Sequence, residues 1–226
     1  MSIIQAPSNI VKRRTTDILQ EQPSLAAQMT HYYQLHAKIY DATRWTFLFG
    51  RRALLNFLPF GRTDKFTVAE IGCGTGFNLL GLSDRFPKAK LIGVDVAKPM
   101  LDVAQKTCRN MGKQLILKQL AYGTKASLVE EKPDVVLFSY CLTMVNPDWE
   151  KLVFQAKSDL SKGGCIAVVD FHDTPLSIFR RWMRFNHVEM KGQVLPLLQQ
   201  HFLTIKVEKR KAYFGLWTYF LFIGKK

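Results

Sequence analysis

The chain has 226 residues, 47% of them hydrophobic and 22% charged, with a formal net charge of +14. This length and composition exclude a disordered or fibrous chain and predict one sizeable soluble domain with appendages. The charge is uneven: residues 1–65 carry nine Lys/Arg against four Asp/Glu, residues 66–170 thirteen against eleven, and residues 171–226 ten against three, so basic flanks around a near-neutral centre predict an anionic partner, nucleic acid or a membrane surface.

Along the chain, the first element is a polar, basic segment over residues 1–23 that reads as mobile. In MSIIQAPSNIVKRR the charge follows a short apolar stretch instead of preceding a long one, unlike a signal peptide. Residues 24–62 read as a helical cap, and residues 63–226 as the main domain. In that domain strand-like runs at 66–71, 90–95, 114–119, 133–140 and 165–171 alternate with helical patterns at 77–86, 98–111 and 148–160, which predicts an α/β fold on a largely parallel sheet. Beyond residue 171 two helices, PLSIFRRWMRFNHVEM and QVLPLLQQHF, precede two strands, LTIKVEKRK and GLWTYFLFIGKK, expected to pair antiparallel around Ala212–Gly215. No segment reaches the roughly 18–20 apolar residues of a membrane-spanning helix. Cys73, Cys108, Cys141 and Cys165 are dispersed, with no CxxC spacing and no neighbouring His pair. Free thiols in a reducing cytoplasm are expected, and no metal site.

The chemistry concentrates in VAEIGCGTGFNLL, residues 68–80. Gly72, Gly74 and Gly76 follow a strand, but Phe77 stands where a pyrophosphate-binding G-x-G-x-x-G would place its third glycine. Glu70 lies two residues before the first glycine. A carboxylate there opposes a phosphate and suits a ligand carrying an ammonium and a sulfonium, which S-adenosylmethionine does. Glycines without side chains let the methionine portion lie against the turn. Asp95, at the end of the second strand, is placed to accept hydrogen bonds from two ribose hydroxyls, or alternatively to cap the following helix.

Residues 66 to about 170 resemble the class I S-adenosylmethionine-dependent methyltransferases through VAEIGCGTG, GVDVAKPMLDVAQ, PDVVLFSYCLTMV and LSKGGCIAVVDF. The resemblance implies a Rossmann-like, seven-stranded, mostly parallel sheet with the last strand antiparallel and helices on both faces. It implies backbone contacts from Gly72, Cys73 and Gly74 to the methionine part, Asp95 on the ribose and Val96 and Met100 near the adenine. Ser139 and Tyr140 would line the junction of cofactor and acceptor. Where such proteins often supply a carboxylate to the adenine amino group, this chain has KQLAYG, leaving the backbone of Leu120 and Ala121.

The flanks bear on the acceptor. HYYQLHAKIYDATRWTFLFGRR (31–52) is dense in aromatics, suiting a cap that attracts a methylated cationic nitrogen by cation–π contact or a helix packed on the sheet edge; Tyr40 is its candidate for catalysis and cofactor contact. His172, after the fifth strand, is a candidate proton acceptor or a structural histidine. Arg180, Arg181 and Arg184, interleaved with Ile178, Phe179, Trp182, Met183 and Phe185, suit an anionic membrane or a phosphate-bearing substrate, or are the solvated side of a core helix. Together these flanks resemble bacterial lipid-headgroup N-methyltransferases of betaine-lipid synthesis. That implies Tyr40, Tyr140 and His172 at the reacting centre, a lipid amine as acceptor, and a cytoplasmic protein held at the inner face of the membrane. Soluble-amine, quinone-precursor and RNA methylation remain alternatives, as does a non-catalytic protein retaining the fold. RNA is disfavoured because SYCL replaces the Asn/Asp-Pro-Pro-aromatic tetrad of base methylases and no RNA-binding module is recognisable. Oligomeric state is left open.

Overall fold

A computed structural model describes residues 47–123 and 132–226. The 1–23 segment, most of the 24–62 cap and Tyr40 therefore lie outside the described residues. The described chain runs α1 (Arg51–Phe57), β1 (Thr67–Ile71), α2 (Phe77–Arg85), β2 (Lys90–Asp95), α3 (Lys98–Thr107), β3 (Leu115–Gln119), β4 (Val135–Ser139), α4 (Trp149–Asp159), β5 (Cys165–Asp173), α5 (Ser177–Phe185), α6 (Val194–His201), β6 (Leu203–Ala212) and β7 (Trp217–Lys225). The strands form one seven-stranded sheet in the order β3-β2-β1-β4-β5-β7-β6. β1 to β5 are mutually parallel, β7 runs antiparallel to β5, and β6 antiparallel to β7.

The central strands are buried on both faces: β4 is buried along its whole length, VVLFS, and β1 from Val68 to Ile71. Alternate side chains feed two cores. Val68, Leu137, Val169 and Leu221 meet Leu54 of α1, Leu79 and Leu82 of α2 and Met183 of α5 on one face. Ala69, Phe138, Val168 and Phe222 meet Leu152, Val153 and Ala156 of α4 and Leu195 and Leu198 of α6 on the other. Such a two-sided parallel sheet is why the strands read as unbroken apolar runs and not as alternating ones.

Some bounds differ from the sequence pattern. The helix expected to reach residue 111 ends at Thr107 and passes into a 3₁₀ segment, Arg109–Gln114, broken at Gly112 by φ 54° and ψ −128°. The helix expected to reach Met190 ends at Phe185, and His187 adopts φ 63°. The terminal hairpin forms as expected: β6 and β7 join through Tyr213–Gly215, with φ positive at all three residues. Among the described residues no helix is long and apolar enough to cross a membrane.

Candidate active site

Strand order reverses between β1 and β4, so the crevice where open α/β sheets bind ligands lies beyond the carboxyl ends of β2, β1 and β4. Residues 72–76 fill that point. Gly72, Gly74 and Gly76 have φ of 70°, 54° and 85°, left-handed values that side-chain-bearing residues adopt at a cost. The turn is also tight, since a Cβ on Gly72 would stand 2.8 Å from the Cys141 Sγ, and one on Gly76 2.9 Å from the Cys108 Sγ. The amides of Gly72 and Cys73 both donate to the Val94 carbonyl, at 2.8 and 3.0 Å, fastening the loop to the end of β2.

Glu70 and Asp95 are nearly fully buried at this turn. Glu70 Oε1 accepts a hydrogen bond of 2.7 Å from Asn78 Nδ2 of α2. Asp95 spans the loop and its own strand end: Oδ2 accepts from Gly74 N–H at 2.8 Å and Oδ1 from Ala97 N–H at 2.9 Å. It does not cap α3 in the ordinary way, because Ala97 holds the N-cap position. The two acids leave an electrostatic mark, for burial and then Glu70 and Asp95 push the Cys73 thiol far above its usual range. Burial followed by Asp170, Asp95 and Glu70 does the same to Cys141. A negative field of this kind opposes phosphate and favours an ammonium or sulfonium.

The residues expected near an adenine lie at the ends of β2 and β3. Val96 is half-buried and Met100 buried; Gln119 Nε2 donates to the Val96 carbonyl at 3.2 Å and Leu120 N–H to the Asp95 carbonyl at 3.0 Å. Leu120 and Ala121 are half-buried beside them.

Ser139 ends β4, buried, and Tyr140 follows at φ 53°. The Tyr140 hydroxyl donates to the Phe49 carbonyl at 2.8 Å and its ring meets Phe171 edge-on, with centroids 4.6 Å apart. Burial first, then Asp170, hold the phenol well above its ordinary pKa, so it stays protonated. His172 turns the other way. Its ring meets Phe220 of the opposite core at 6.0 Å, across the sheet from Tyr140, and its carbonyl accepts from Gly192 N–H at 2.8 Å. Burial, then Lys209, lower its pKa against the weaker pull of Asp173, which keeps the imidazole neutral. The structure thus gathers Glu70, the three glycines, Cys73, Asp95, Ser139 and Tyr140 at one rim and sets the His172 ring on the far face.

Two residues of the rim were not anticipated from sequence. Asp170 of β5 is fully buried and receives the Thr143 hydroxyl at 2.5 Å, Thr143 N–H at 3.2 Å and Phe171 N–H at 2.8 Å, so it clamps the turn after β4. Its carboxyl is pushed up to about 6 by desolvation, against the pull of those donors. Arg51 of α1 is buried, with its guanidinium 3.9 Å over the ring of Phe77, the residue after Gly76, and its Nε donating to the Leu48 carbonyl at 3.2 Å. It is a cation beside the loop, suited to the carboxylate of a bound amino acid. Acid, base and glycine turn together fit S-adenosylmethionine: Glu70 and Asp95 for its cationic and ribose parts, Arg51 for its carboxylate.

Residues 68–164 match a family model described as a methyltransferase domain. The methyltransferase ungE' of Aspergillus campestris is 27% identical over 142 residues, 62% of this chain and 37% of that protein; the chain thus spans little more than a third of that relative's length. Among solved structures, the 4+2 cyclase SpnF superposes at a TM-score of 0.70 and 14% identity, covering 89% of this chain and 96% of that one. Phospholethanolamine N-methyltransferase 2 of Haemonchus contortus, solved with phosphomonomethylethanolamine and S-adenosylhomocysteine, does so at 0.69 and 16%, covering 89% and 59%. The fold is the Rossmann-like methyltransferase fold, and residues 68–164 are the part of the chain that is similar to a methyltransferase domain.

Proposed function

We propose that the chain as a whole transfers a methyl group from S-adenosylmethionine to the amine of a small acceptor, and that this acceptor is a membrane-lipid headgroup of the diacylglyceryl-homoserine or phosphatidylethanolamine type. The cofactor supplies an electrophilic methyl on a sulfonium. The chain's part is to hold the donor by the glycine turn, Glu70, Asp95 and Arg51, to place the acceptor in line, and to keep water out. Positioning of this kind can supply most of the acceleration of such a displacement. Ser139 and Tyr140 border the junction, Tyr140 as a fixed neutral donor. Tyr40, which lies outside the described residues, remains in this reading the candidate contact to acceptor and cofactor.

The observation that carries the amine is the group of aromatic residues next to Tyr140: Phe49, whose carbonyl accepts from the Tyr140 hydroxyl at 2.8 Å, packs on Tyr219 at 6.2 Å and edge-on against the half-exposed Tyr213 at 5.5 Å. Accessible aromatic faces there would favour the cationic nitrogen that each methylation produces. The N-methyltransferase of Haemonchus contortus, which has this fold and is solved in complex with phosphomonomethylethanolamine, supports an amine as acceptor.

Purified protein given donor labelled in its methyl group is expected to label diacylglyceryl-homoserine or phosphatidylethanolamine in vesicles. Label appearing in a soluble amine, a quinone precursor or RNA, with none in either lipid, refutes the lipid acceptor. A calorimetric titration showing no affinity for S-adenosylhomocysteine refutes the methyltransferase reading itself.

A further inference from the structure

We infer that the outer face of α5 and the Tyr213–Gly215 turn together form the surface by which this protein rests on an anionic bilayer. The inference deepens the lipid-acceptor reading and rests on it for its biological sense, though docking is measurable without turnover.

α5 turns two apolar residues inward, Phe179 onto Trp217 and Met183 into the core. Its remaining large apolar residues face water: Ile178 is 79% exposed, Trp182 49% and Phe185 85%. At 3.6 residues per turn these three fall within about 60° of one another around the helix axis. Arg181, also exposed, adjoins that arc. An apolar stripe flanked by a cation is the pattern of a helix lying in a membrane interface.

The turn adds a second point of contact. Phe214 is fully exposed at φ 58°, behind Tyr213 at φ 44° and 50% exposure. Two successive bulky residues in left-handed conformation are uncommon, and here that geometry projects a phenyl ring into solvent. The turn and the helix belong to one surface, because Tyr213 and Phe179 both pack on Trp217, and Phe179 in turn meets Trp182 at 5.6 Å. β5 and β6 both end at this rim, where β4 delivers Ser139 and Tyr140.

Charge selects the occupant. The acids of residues 171–226 are all neutralised locally: Asp173 pairs with Arg180 at 2.9 Å, Glu189 with Arg184 and Lys191 at 3.0 and 2.9 Å, and Glu208 with Lys206 and Arg210 at 3.1 and 2.6 Å. Arg181 and Lys211, both exposed, one on α5 and one on the strand entering the turn, remain to meet lipid phosphates. A second copy of this chain would bring another +14, and a nucleic acid offers no apolar phase for Ile178, Phe185 and Phe214. Of the three arginines expected at a membrane, Arg180 and Arg184 are engaged within the protein, and the apolar residues between them carry the contact.

The test is co-sedimentation of the full chain with phosphatidylcholine vesicles, with and without phosphatidylglycerol, at low and high salt. Wild type is expected to partition onto the anionic vesicles, and the triple variant Ile178→Ser, Phe185→Ser, Phe214→Ser to lose at least tenfold in partition coefficient. Arg181→Glu should weaken binding severalfold on the anionic vesicles and leave neutral ones unchanged. An unchanged affinity for S-adenosylhomocysteine establishes that each variant is folded. An environment-sensitive dye on Phe214→Cys should shift to the blue on anionic vesicles. Three results overturn the proposal: no partition of wild type at low salt, equal partition of wild type and triple variant, or a wild-type dimer in sedimentation velocity that the triple variant abolishes. A dye that stays unshifted overturns it too. Absence of methyl transfer to lipid in the presence of vesicle binding overturns only the acceptor assignment.

Discussion

The glycine turn makes a quantitative demand at Gly76. Its φ of 85° places an alanine in left-handed backbone, at about 1–2 kcal/mol. The new Cβ would also stand 2.9 Å from Cys108 Sγ, inside contact distance, with Ala104 next at 3.4 Å; relieving such an overlap in a packed site costs about 1–3 kcal/mol. Gly76→Ala should therefore lower unfolding free energy by about 2–5 kcal/mol in wild type. Cys108→Ala removes the sulfur and leaves ordinary contacts, so in that background the same change should cost only the backbone share, about 1–2 kcal/mol. Urea unfolding of the four proteins of this cycle, followed by circular dichroism, measures the coupling directly. Equal costs in both backgrounds would refute the steric account. A cost below about 0.5 kcal/mol in both would refute the left-handed turn as well.

Other consequences follow from the buried polar groups. Tyr140→Phe leaves the Phe49 carbonyl without its donor and should cost about 1–3 kcal/mol in thermal or urea unfolding, while the pH profile of kcat/KM stays in place because the phenol does not titrate near neutrality. His172→Gln should change kcat/KM by less than about threefold, since the ring faces the opposite core; a loss of a hundredfold or more with disappearance of an ionisation would make it the proton acceptor after all. For Asp170 the folded carboxyl titrates near 6 against 3.8 unfolded, so its ionisation opposes folding: the cost is absent below pH 3.8, grows as pH rises, and is complete above about 6. Wild type should lose about 3 kcal/mol on this account between those limits, a slope that Asp170→Asn should remove from unfolding curves at pH 4.5 and 7. Parallel curves would refute it. Arg51→Leu should weaken S-adenosylhomocysteine binding at least tenfold by calorimetry, yet leave an analogue lacking the carboxylate unaffected.

What sequence could show depended on whether a residue's partner lies nearby along the chain. β1 and β4 are readable because a strand buried on both faces must be apolar throughout, and the glycine turn because three left-handed positions admit few other residues. Asp170 looks like a strand end until Thr143 is folded onto it, and Arg51 like one more surface cation until Phe77 arrives beneath it. His172 follows a strand as expected, but a side chain one position away along β5 changes face, and the register shift between Phe171 and Asp173 blurs that parity further. α5 is the instructive case. Ile178, Trp182 and Phe185 have the spacing of a core face, and so do Phe179 and Met183, so periodicity identifies a helix with too many apolar residues for one side. Only the packing decides which pair is spent on the core. Sequence therefore stated the surplus without its direction.

That surplus links the site to its surroundings. Trp217 meets Phe47 from the chain before α1, Phe179 from α5 and Tyr213 from the turn, and Tyr140 ties the end of β4 to Phe49 two residues along from Phe47. A load placed on the exposed faces of α5 and the turn is thus borne by an aromatic cluster that continues through Tyr213 to Phe49, beside Tyr140. If docking on a bilayer orders that cluster, vesicles without any acceptor amine should raise affinity for S-adenosylhomocysteine, and the triple variant of the α5 and turn residues should lose that gain while keeping its affinity in solution. Linkage requires the reciprocal effect, tighter vesicle binding when S-adenosylhomocysteine is present. Finding neither would mean that the surface and the site share a scaffold without sharing free energy.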